Sequence, residues 1–313
     1  MSMWIRPESH GSGKYCFLSR PRRFGKSLLV STFEAYFSGK KELFGGLAID
    51  ALEKDWTKHP VLRFDLSGED YSQRGSLDTV LPRQLKLWEA NFDMTDIADT
   101  PSARFKEIIE AAYRKTGLPV VILIDEYDKP IVDNLGDDAL VDTFRGQLRG
   151  FCSVMKAKDA CIKFGFLTGV TKIGQLSVFS GLNNLKDISL DARYSDICGI
   201  SEEELMKYFK ESVAELAAAN GLTESQCYEK LALWYDGYHF CENSHGMYNP
   251  FSVLNTFDKL RFHKYWFSTG TPSFHVRYLM RDSFNLDDVN GIRVSSSVLS
   301  GVNASRPSPI TLL

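Results

Sequence analysis

The chain reads YCFLSRPRRFGKS from Tyr15 to Ser27, and this stretch decides the fold. Its first residues, up to Leu18, form an apolar segment of strand length, and the residues after Ser27 place apolar side chains at helical spacing. Between them, Gly25-Lys26-Ser27 matches the end of the motif G-x-x-x-x-G-K-[ST]. In that motif backbone N–H groups surround phosphates, the lysine contacts the β and γ oxygens, and the hydroxyl ligates Mg²⁺. The order strand, loop, helix therefore predicts a phosphate-binding loop.

Arg20 stands where the standard motif has its first glycine. That position often needs backbone angles that favour glycine. We therefore expect either that the chain enters the loop with other backbone angles or that the loop depends on Pro21 for rigidity. Ser27 falls in the first turn of the predicted helix, where the helix dipole favours anions. The residues predicted to contact the nucleotide belong to the loop and the start of the helix: Arg20, Arg22, Arg23, Phe24, Gly25, Lys26, Ser27 and Leu28.

Five consecutive aliphatic residues, 120–124, precede Asp125 and Glu126. The run predicts a strand buried on both faces that ends at Asp125. In a protein with a phosphate-binding loop, such an aspartate orients the Mg²⁺ shell, and an adjacent glutamate can polarise the water that attacks the γ-phosphate. The alternative is that both acids cap a core strand at the surface. The upstream Lys26-Ser27 pair favours the nucleotide site, and the two acids together favour hydrolysis.

A second apolar strand is predicted over 162–167, and it ends in hydroxyls and a cation. If it lies beside the 120–124 strand, as in additional-strand NTPases, Thr168 or Thr171 would approach the γ-phosphate and the attacking water as a sensor. The alternative is ordinary turn chemistry, because Thr and Gly are common at strand ends. We predict the sensor role for one of the two threonines.

Several strings, in this order along the chain, resemble the bacterial AAA-ATPase-like proteins that usually carry a C-terminal PD-(D/E)XK nuclease-like domain. They are FLSRPRRFGKSLL, VVILIDEYDKP, FGFLTGVTKIG, VFSGLNNLKDISL, LWYDGY, YNPFSVLN and YWFSTGTPSF. The resemblance runs from about Lys14 to about Phe274. It implies a P-loop ATPase core in which Arg20 replaces the first glycine as a normal family variant. The expected cofactors are thus ATP and Mg²⁺, with Ser27 and Asp125 as the predicted metal ligands.

Two features depart from this resemblance. Such proteins normally begin with a longer segment before the first strand, whereas residues 1–13 are few and unlike that segment. The chain also stops at Leu313, about where the link into the nuclease-like domain is expected, and we find no persuasive D-x(n)-[DE]-x-K strand pair. We therefore expect a truncated member of the family and do not carry nuclease activity over.

The order of elements predicts an α/β fold: a three-layer P-loop NTPase of the ASCE type, with a parallel sheet and a smaller, mainly helical C-terminal lid. Strands are predicted near 15–18, 60–66, 120–124, 162–167 and 186–190. Helices are predicted after Thr100-Pro101, ending at Gly117, and along a period formed by Leu140, Phe144, Leu148, Phe151 and Met155. Capping boxes are predicted at Ser201 with Glu204 and at Thr223 with Gln226.

The predicted divisions are a flexible lead-in (1–13), the P-loop domain (14–195), the lid (196–285) and a loosely ordered tail (286–313).

Composition agrees with a globular enzyme of the cytoplasm. The 313 residues are 43% hydrophobic and 25% charged, and the net charge of -3 gives no overall attraction to nucleic acid or anionic lipid. Six cysteines are scattered without a C-x-x-C pair, which favours reduced thiols over a disulfide framework. The aliphatic runs are of strand length, so no membrane partner is expected. A nucleic-acid or protein partner and an oligomer remain open.

Two classes of function fit these residues. In the first, the protein is a Mg²⁺-dependent ATPase that couples hydrolysis to a conformational change. In the second, it is a nucleotide-gated regulatory switch, or a truncated fragment that does not hydrolyse ATP. A metabolic kinase is a weaker third reading, because the sequence shows no separate acceptor pocket.

Overall fold

The structure is a computed structural model that describes residues 13–170, 178, 182, 184–242 and 244–265. By their contacts the described residues form two compact units. The first contains residues 13–19 and 27–186, and the second contains residues 20–26 and 187–265.

Three predicted segments lie wholly or partly outside the described residues: the lead-in apart from Gly13, residues 266–285 of the lid, and the tail from 286 to 313. The boundary between domain and lid at 195 stays a prediction. Within the described ranges, no helix has both the length and the apolar character needed to cross a bilayer.

The first unit is built on a five-stranded sheet with the order β2-β3-β4-β1-β5. Its strands are β1 (Tyr15–Ser19), β2 (Val61–Asp65), β3 (Val120–Asp125), β4 (Ile162–Gly169) and β5 (Leu185–Asp187). The pairs β1 with β4, β4 with β3, and β3 with β2 are parallel. Because β4 lies between β1 and β3, the predicted additional-strand sheet is confirmed.

Helices lie on both sides of this sheet and complete the α/β fold. Their bounds are α1 (Lys26–Phe37), α2 (Ala48–Leu52), α3 (Ser76–Asn91), α4 (Pro101–Thr116), α5 (Lys129–Val132) and α6 (Asp138–Ala157). Short 3₁₀ helices occur at Lys41–Phe44 and Asp159–Cys161.

Local signals explain where α4 begins and ends. The Thr100 side chain accepts a hydrogen bond from the backbone of Ala103, Pro101 occupies the first turn, and Gly117 ends the helix with a φ of 69°. Both predicted ends are therefore confirmed. The predicted periodic residues of α6 are all buried: Leu140, Phe144, Leu148, Phe151 and Met155.

Strand β5 is shorter than the predicted 186–190 segment. After Asp187 the chain turns, because the Asp187 carboxylate accepts a hydrogen bond from the backbone N–H of Ser189 at 2.9 Å. The N–H of Ser189 thus bonds to a side chain two residues earlier, and not to a neighbouring strand.

As far as it is described, the second unit combines a two-stranded antiparallel ladder with four helices. The strands are β6 (Ile200–Ser201) and β7 (Met247–Tyr248), and a 3₁₀ helix covers Ala192–Tyr194. The helices are α7 (Glu202–Tyr208), α8 (Lys210–Ala219), α9 (Glu224–Tyr235) and α10 (Pro250–Lys259). Both predicted capping boxes are present, at the starts of α7 and α9. The buried core contains Leu205, Val213, Leu216, Leu231, Tyr235 and Val253.

The middle of β4 has no room for a side chain at Gly165. A Cβ there would lie 2.5 Å from Cδ1 of Tyr15 and 2.7 Å from Cε of Met155. The Tyr15 ring has no freedom to withdraw, because its hydroxyl donates to Asp159 at 2.7 Å and its ring is fully buried. Close packing of β1, β4 and α6 therefore depends on glycine at this position.

Replacing Gly165 with alanine is expected to lower the free energy of unfolding by about 1–3 kcal/mol, because one extra methyl overpacks the core. A matched control is Gly146→Ala on the exposed side of α6, where no atom lies within 4 Å of the added Cβ. That change should raise stability by about 0.5–1 kcal/mol through helix propensity. Urea unfolding of both variants measures the difference, and a Gly165→Ala protein as stable as the wild type would contradict the packing described for β4.

Candidate functional site

The carboxyl ends of three strands lie level at one edge of the sheet. Leu18 pairs with Thr168 and Ser19 with Gly169, while Ile124 of β3 pairs with Leu167. Because the strands are parallel, the residues that end β1, β3 and β4 all reach this edge. Ligands of open α/β sheets bind outside the carboxyl ends of the strands, so this edge is the candidate site.

Asp125 ends β3 as a fully buried carboxylate that Thr168 holds in place. The Thr168 hydroxyl donates to Oδ1 of Asp125 at 2.5 Å, and the same hydroxyl accepts the backbone N–H of Glu126 at 3.3 Å. The second carboxylate oxygen, Oδ2, is buried and has no hydrogen-bond partner among the residues that the structure describes. Burying a carboxylate oxygen without a partner costs free energy, so this atom calls for an explanation.

Glu126 follows Asp125 in a left-handed backbone conformation, with a φ of 50°. Such a conformation costs a residue with a Cβ about 1–2 kcal/mol. The turn is kept in this shape by the next residue, since the N–H of Tyr127 donates to the backbone oxygen of Thr168 at 3.0 Å. The backbone conformation of the half-buried Glu126 is thus held by hydrogen bonds between the end of β3 and the end of β4.

Asp128 belongs to the same cluster, although the sequence analysis did not single it out. It is 1% exposed, and its Oδ2 accepts the backbone N–H of Val170 at 3.0 Å. The backbone oxygen of Val170 accepts a hydrogen bond from the Ser19 hydroxyl at 2.9 Å. Both the N–H and the C=O of Val170 are therefore hydrogen-bonded. The signal that could have revealed Asp128 is a third acid, three residues after Asp125, on a segment otherwise buried.

Gly169 allows this close approach. A Cβ on Gly169 would lie 2.7 Å from the ring of Tyr127 and 2.9 Å from Cγ of Asp128. Any larger residue would push the turn after β3 away from the end of β4.

The phosphate-loop residues 20–26 group with the second unit. Positive φ angles occur at Arg23 (68°) and Gly25 (93°), and not at Arg20. The position that carries the first glycine of the standard motif therefore needs no glycine in this loop.

Lys26 is 4% exposed, and its ammonium donates to the backbone oxygens of Arg20 at 2.9 Å and Pro21 at 3.2 Å. These carbonyls hold the charged end of the side chain within the loop. A phosphate is an alternative partner for the same ammonium group.

The other predicted loop residues differ in exposure. Phe24 is fully buried, and the Arg23 guanidinium lies 4.0 Å from the ring centre of Phe251. Arg22 is half-buried, Ser27 is exposed, and Leu28 is 73% exposed. Arg20 is 1% exposed and donates hydrogen bonds to backbone carbonyls.

Of the predicted catalytic residues, the structure brings Asp125, Glu126 and Thr168 together through hydrogen bonds. Thr171, the other sensor candidate, lies outside the described residues. Their assignments as catalytic or ligand-binding groups stay predictions.

The sheet order, the G-K-S loop after β1 and the acidic end of β3 define a P-loop NTPase-like protein. The chain belongs to the AAA-ATPase-like family described as "Predicted AAA-ATPase", whose model matches residues 7–179. It is also 40% identical over 268 residues to an "Uncharacterized protein in vnfD 5'region" of Azotobacter chroococcum mcd 1. The aligned part covers 85% of this chain and 49% of that relative, so the chain spans about half of the relative's length.

Thr168→Val is expected to lower the free energy of unfolding by about 1–3 kcal/mol, because it leaves a buried carboxylate without its hydrogen-bond donor. Thr168→Ser keeps the hydroxyl and is the matched control, for which we expect a smaller loss. Chemical denaturation monitored by fluorescence gives both values. Equal midpoints for Thr168→Val and the wild type would show that the 2.5 Å bond to Asp125 does not stabilise the fold.

Proposed function

We propose that this protein is a Mg²⁺-dependent ATPase that couples hydrolysis of ATP to a conformational change. The observation that carries the proposal is the buried, unpartnered Oδ2 of Asp125 at the carboxyl end of β3. A protein gains nothing in stability from such an atom, so a ligand that completes its coordination explains why it is there. Membership of a family of predicted AAA-ATPases points to the same class of ligand.

The residues at this edge fit a magnesium ion. Mg²⁺ prefers oxygen ligands and usually keeps several waters, so it needs only one or two groups from the protein. The Asp125 carboxylate and the exposed Ser27 hydroxyl at the start of α1 are the groups that would hold it. When bound, the ion would neutralise charge on the β and γ phosphates.

Lys26 and the start of α1 are the groups that we assign to the phosphates. The Lys26 ammonium is already oriented by two loop carbonyls, and exchanging a neutral acceptor for a charged phosphate oxygen strengthens the hydrogen bond. Helix α1 has twelve residues, so its N-terminal dipole adds a favourable field for anions.

Glu126 is assigned to the attacking water. The residue directly follows the proposed metal ligand in the chain, in a left-handed turn with a φ of 50°. The Thr168 hydroxyl, which is engaged by Asp125 and by the N–H of Glu126, orients both acids. A γ-phosphate sensor role for Thr168 or Thr171 remains part of the proposal.

A nucleotide-gated switch is the second candidate function. The observation that favours it is the grouping of loop residues 20–26 with the second unit, because nucleotide binding to the loop then acts directly on that unit. ATP is the proposed small-molecule partner in both cases. A nucleic-acid or protein partner, an oligomer and a cytoplasmic location remain expectations from the sequence.

Lys26→Ala is expected to weaken MgATP binding by roughly 10- to 100-fold, because a charge-assisted hydrogen bond contributes about 1.5–3 kcal/mol. Isothermal titration calorimetry measures the affinity, and Lys86→Ala on the exposed face of α3 serves as the control. Unchanged affinity in folded Lys26→Ala would exclude this loop as the phosphate site.

The two acids are expected to behave differently. Glu126→Gln should keep MgATP binding and lose hydrolysis by roughly 10²- to 10⁴-fold, the contribution of a general base. Asp125→Asn should also weaken the part of binding that depends on Mg²⁺, because it removes a charge from the metal shell. Turnover, nucleotide affinity and melting temperature are measured for each variant. Equal turnover in Glu126→Gln and in a hydrolysing wild type would remove Glu126 from the mechanism and favour the switch.

A further inference from the structure

Arg20 is a buried cation at the first position of the phosphate loop. Its exposed fraction is 1%, and burial lowers the pKa of its guanidinium to about 10, an effect that nearby Cys198, Asp187 and Cys241 partly offset. The group is therefore charged at neutral pH. A buried charge is retained only where directed partners compensate for lost hydration.

Its partners include three backbone carbonyls of one short segment, residues 189–199. Nη1 of Arg20 donates to the oxygen of Ser189 at 2.8 Å, Nη2 to that of Tyr194 at 2.8 Å, and Nε to that of Ile197 at 3.0 Å. The planar guanidinium also lies 3.9 Å from the ring centre of Phe240. A lysine could not reproduce this arrangement, because its ammonium lacks both the planar donor fork and the stacking face.

The loop contacts the 189–199 segment a second time, through Phe24. The N–H of Gly199 donates to the oxygen of Phe24 at 3.1 Å. The Phe24 ring packs edge-on against Phe240 at 5.5 Å and against Tyr238 at 4.6 Å. Thus the loop is held to the same segment at its first residue and again four residues later.

Arg20 also contacts the lysine that we assign to the phosphates. The backbone oxygen of Arg20 accepts the Lys26 ammonium at 2.9 Å, while the side chain of the same residue holds the 189–199 segment. A phosphate that draws the ammonium away from this carbonyl changes the balance of bonds at Arg20. The residue is therefore a physical link between the phosphate end of the loop and the segment.

We infer that Arg20 is a positioning residue that couples phosphate binding in the loop to the order of the 189–199 segment. It does so through its guanidinium, which donates hydrogen bonds to that segment. The inference rests on the proposed nucleotide binding, and it gives the arginine at the usual glycine position a role in regulating the site. Nucleotide state is then transmitted to the second unit from within the loop.

Hydrogen–deuterium exchange of the full chain, with and without the magnesium complex of a non-hydrolysable ATP analogue, tests the coupling. In the wild type, the analogue is expected to slow amide exchange in the 189–199 segment by about 5-fold or more, the lower end of typical coupling between sites. In Arg20→Lys, measured at an analogue concentration that saturates the variant, we expect little or no slowing in this segment. This difference between bound and free protein separates coupling from a purely structural effect of the substitution.

Arg193→Lys is the matched control, since it makes the same change inside the segment. The Arg193 side chain is 60% exposed and pairs with Asp191, so exchange should respond to the analogue as in the wild type. Phe240→Leu is a second test variant, because it removes the stacking face while leaving the hydrogen bonds of Arg20. We expect it to reduce the slowing.

The outcomes are distinct. If Arg20→Lys binds the analogue and slows exchange as the wild type does, the inference is overturned while the proposed function stands. If Arg20→Lys fails to bind the analogue, the Phe240→Leu variant provides the test. Exchange in the 189–199 segment that slows in Phe240→Leu as much as in the wild type then overturns the inference. Failure of the wild type to bind the analogue overturns the proposed function, and the inference falls with it.

Discussion

Burying the Asp125 carboxylate at the end of an apolar strand costs free energy unless other groups compensate, and the residues around it are arranged to do so. Thr168 donates to one oxygen, and its hydroxyl in turn accepts the N–H of Glu126. This pair of bonds ties the end of β3 to the end of β4 and fixes the backbone between Asp125 and Tyr127. The other oxygen has no partner among the described residues, and it is the atom to which the proposed function assigns the metal ion.

Most of the sheet and several helix ends could be predicted from the sequence because their signals are local. The apolar run of β3, the cap at Thr100 and the αL glycine at Gly117 each specify structure within a few residues. The ASCE-type parallel sheet was also predicted, although through motifs and a family resemblance. Local patterns alone do not say which strands become neighbours.

The hydrogen-bond partners of Arg20 and Asp128 could not be predicted in this way. Arg20 hydrogen-bonds to residues more than 160 positions later in the chain, and Asp128 bonds to Val170. No periodicity in the sequence indicates hydrogen bonds between residues so far apart in the chain. The left-handed conformation of Glu126 was equally hidden, since it follows from hydrogen bonds between two strand ends.

At Glu126, the residue that would best suit the backbone conformation lacks the carboxylate that the proposed chemistry requires. Glycine is the residue that a φ of 50° favours, so the conformational energy of this turn would fall if the side chain were lost. The proposed water-activating carboxylate would be lost with it. On the proposed mechanism, a substitution that relaxes the backbone at this position also removes the group assigned to the attacking water, so stability and activity favour different residues there.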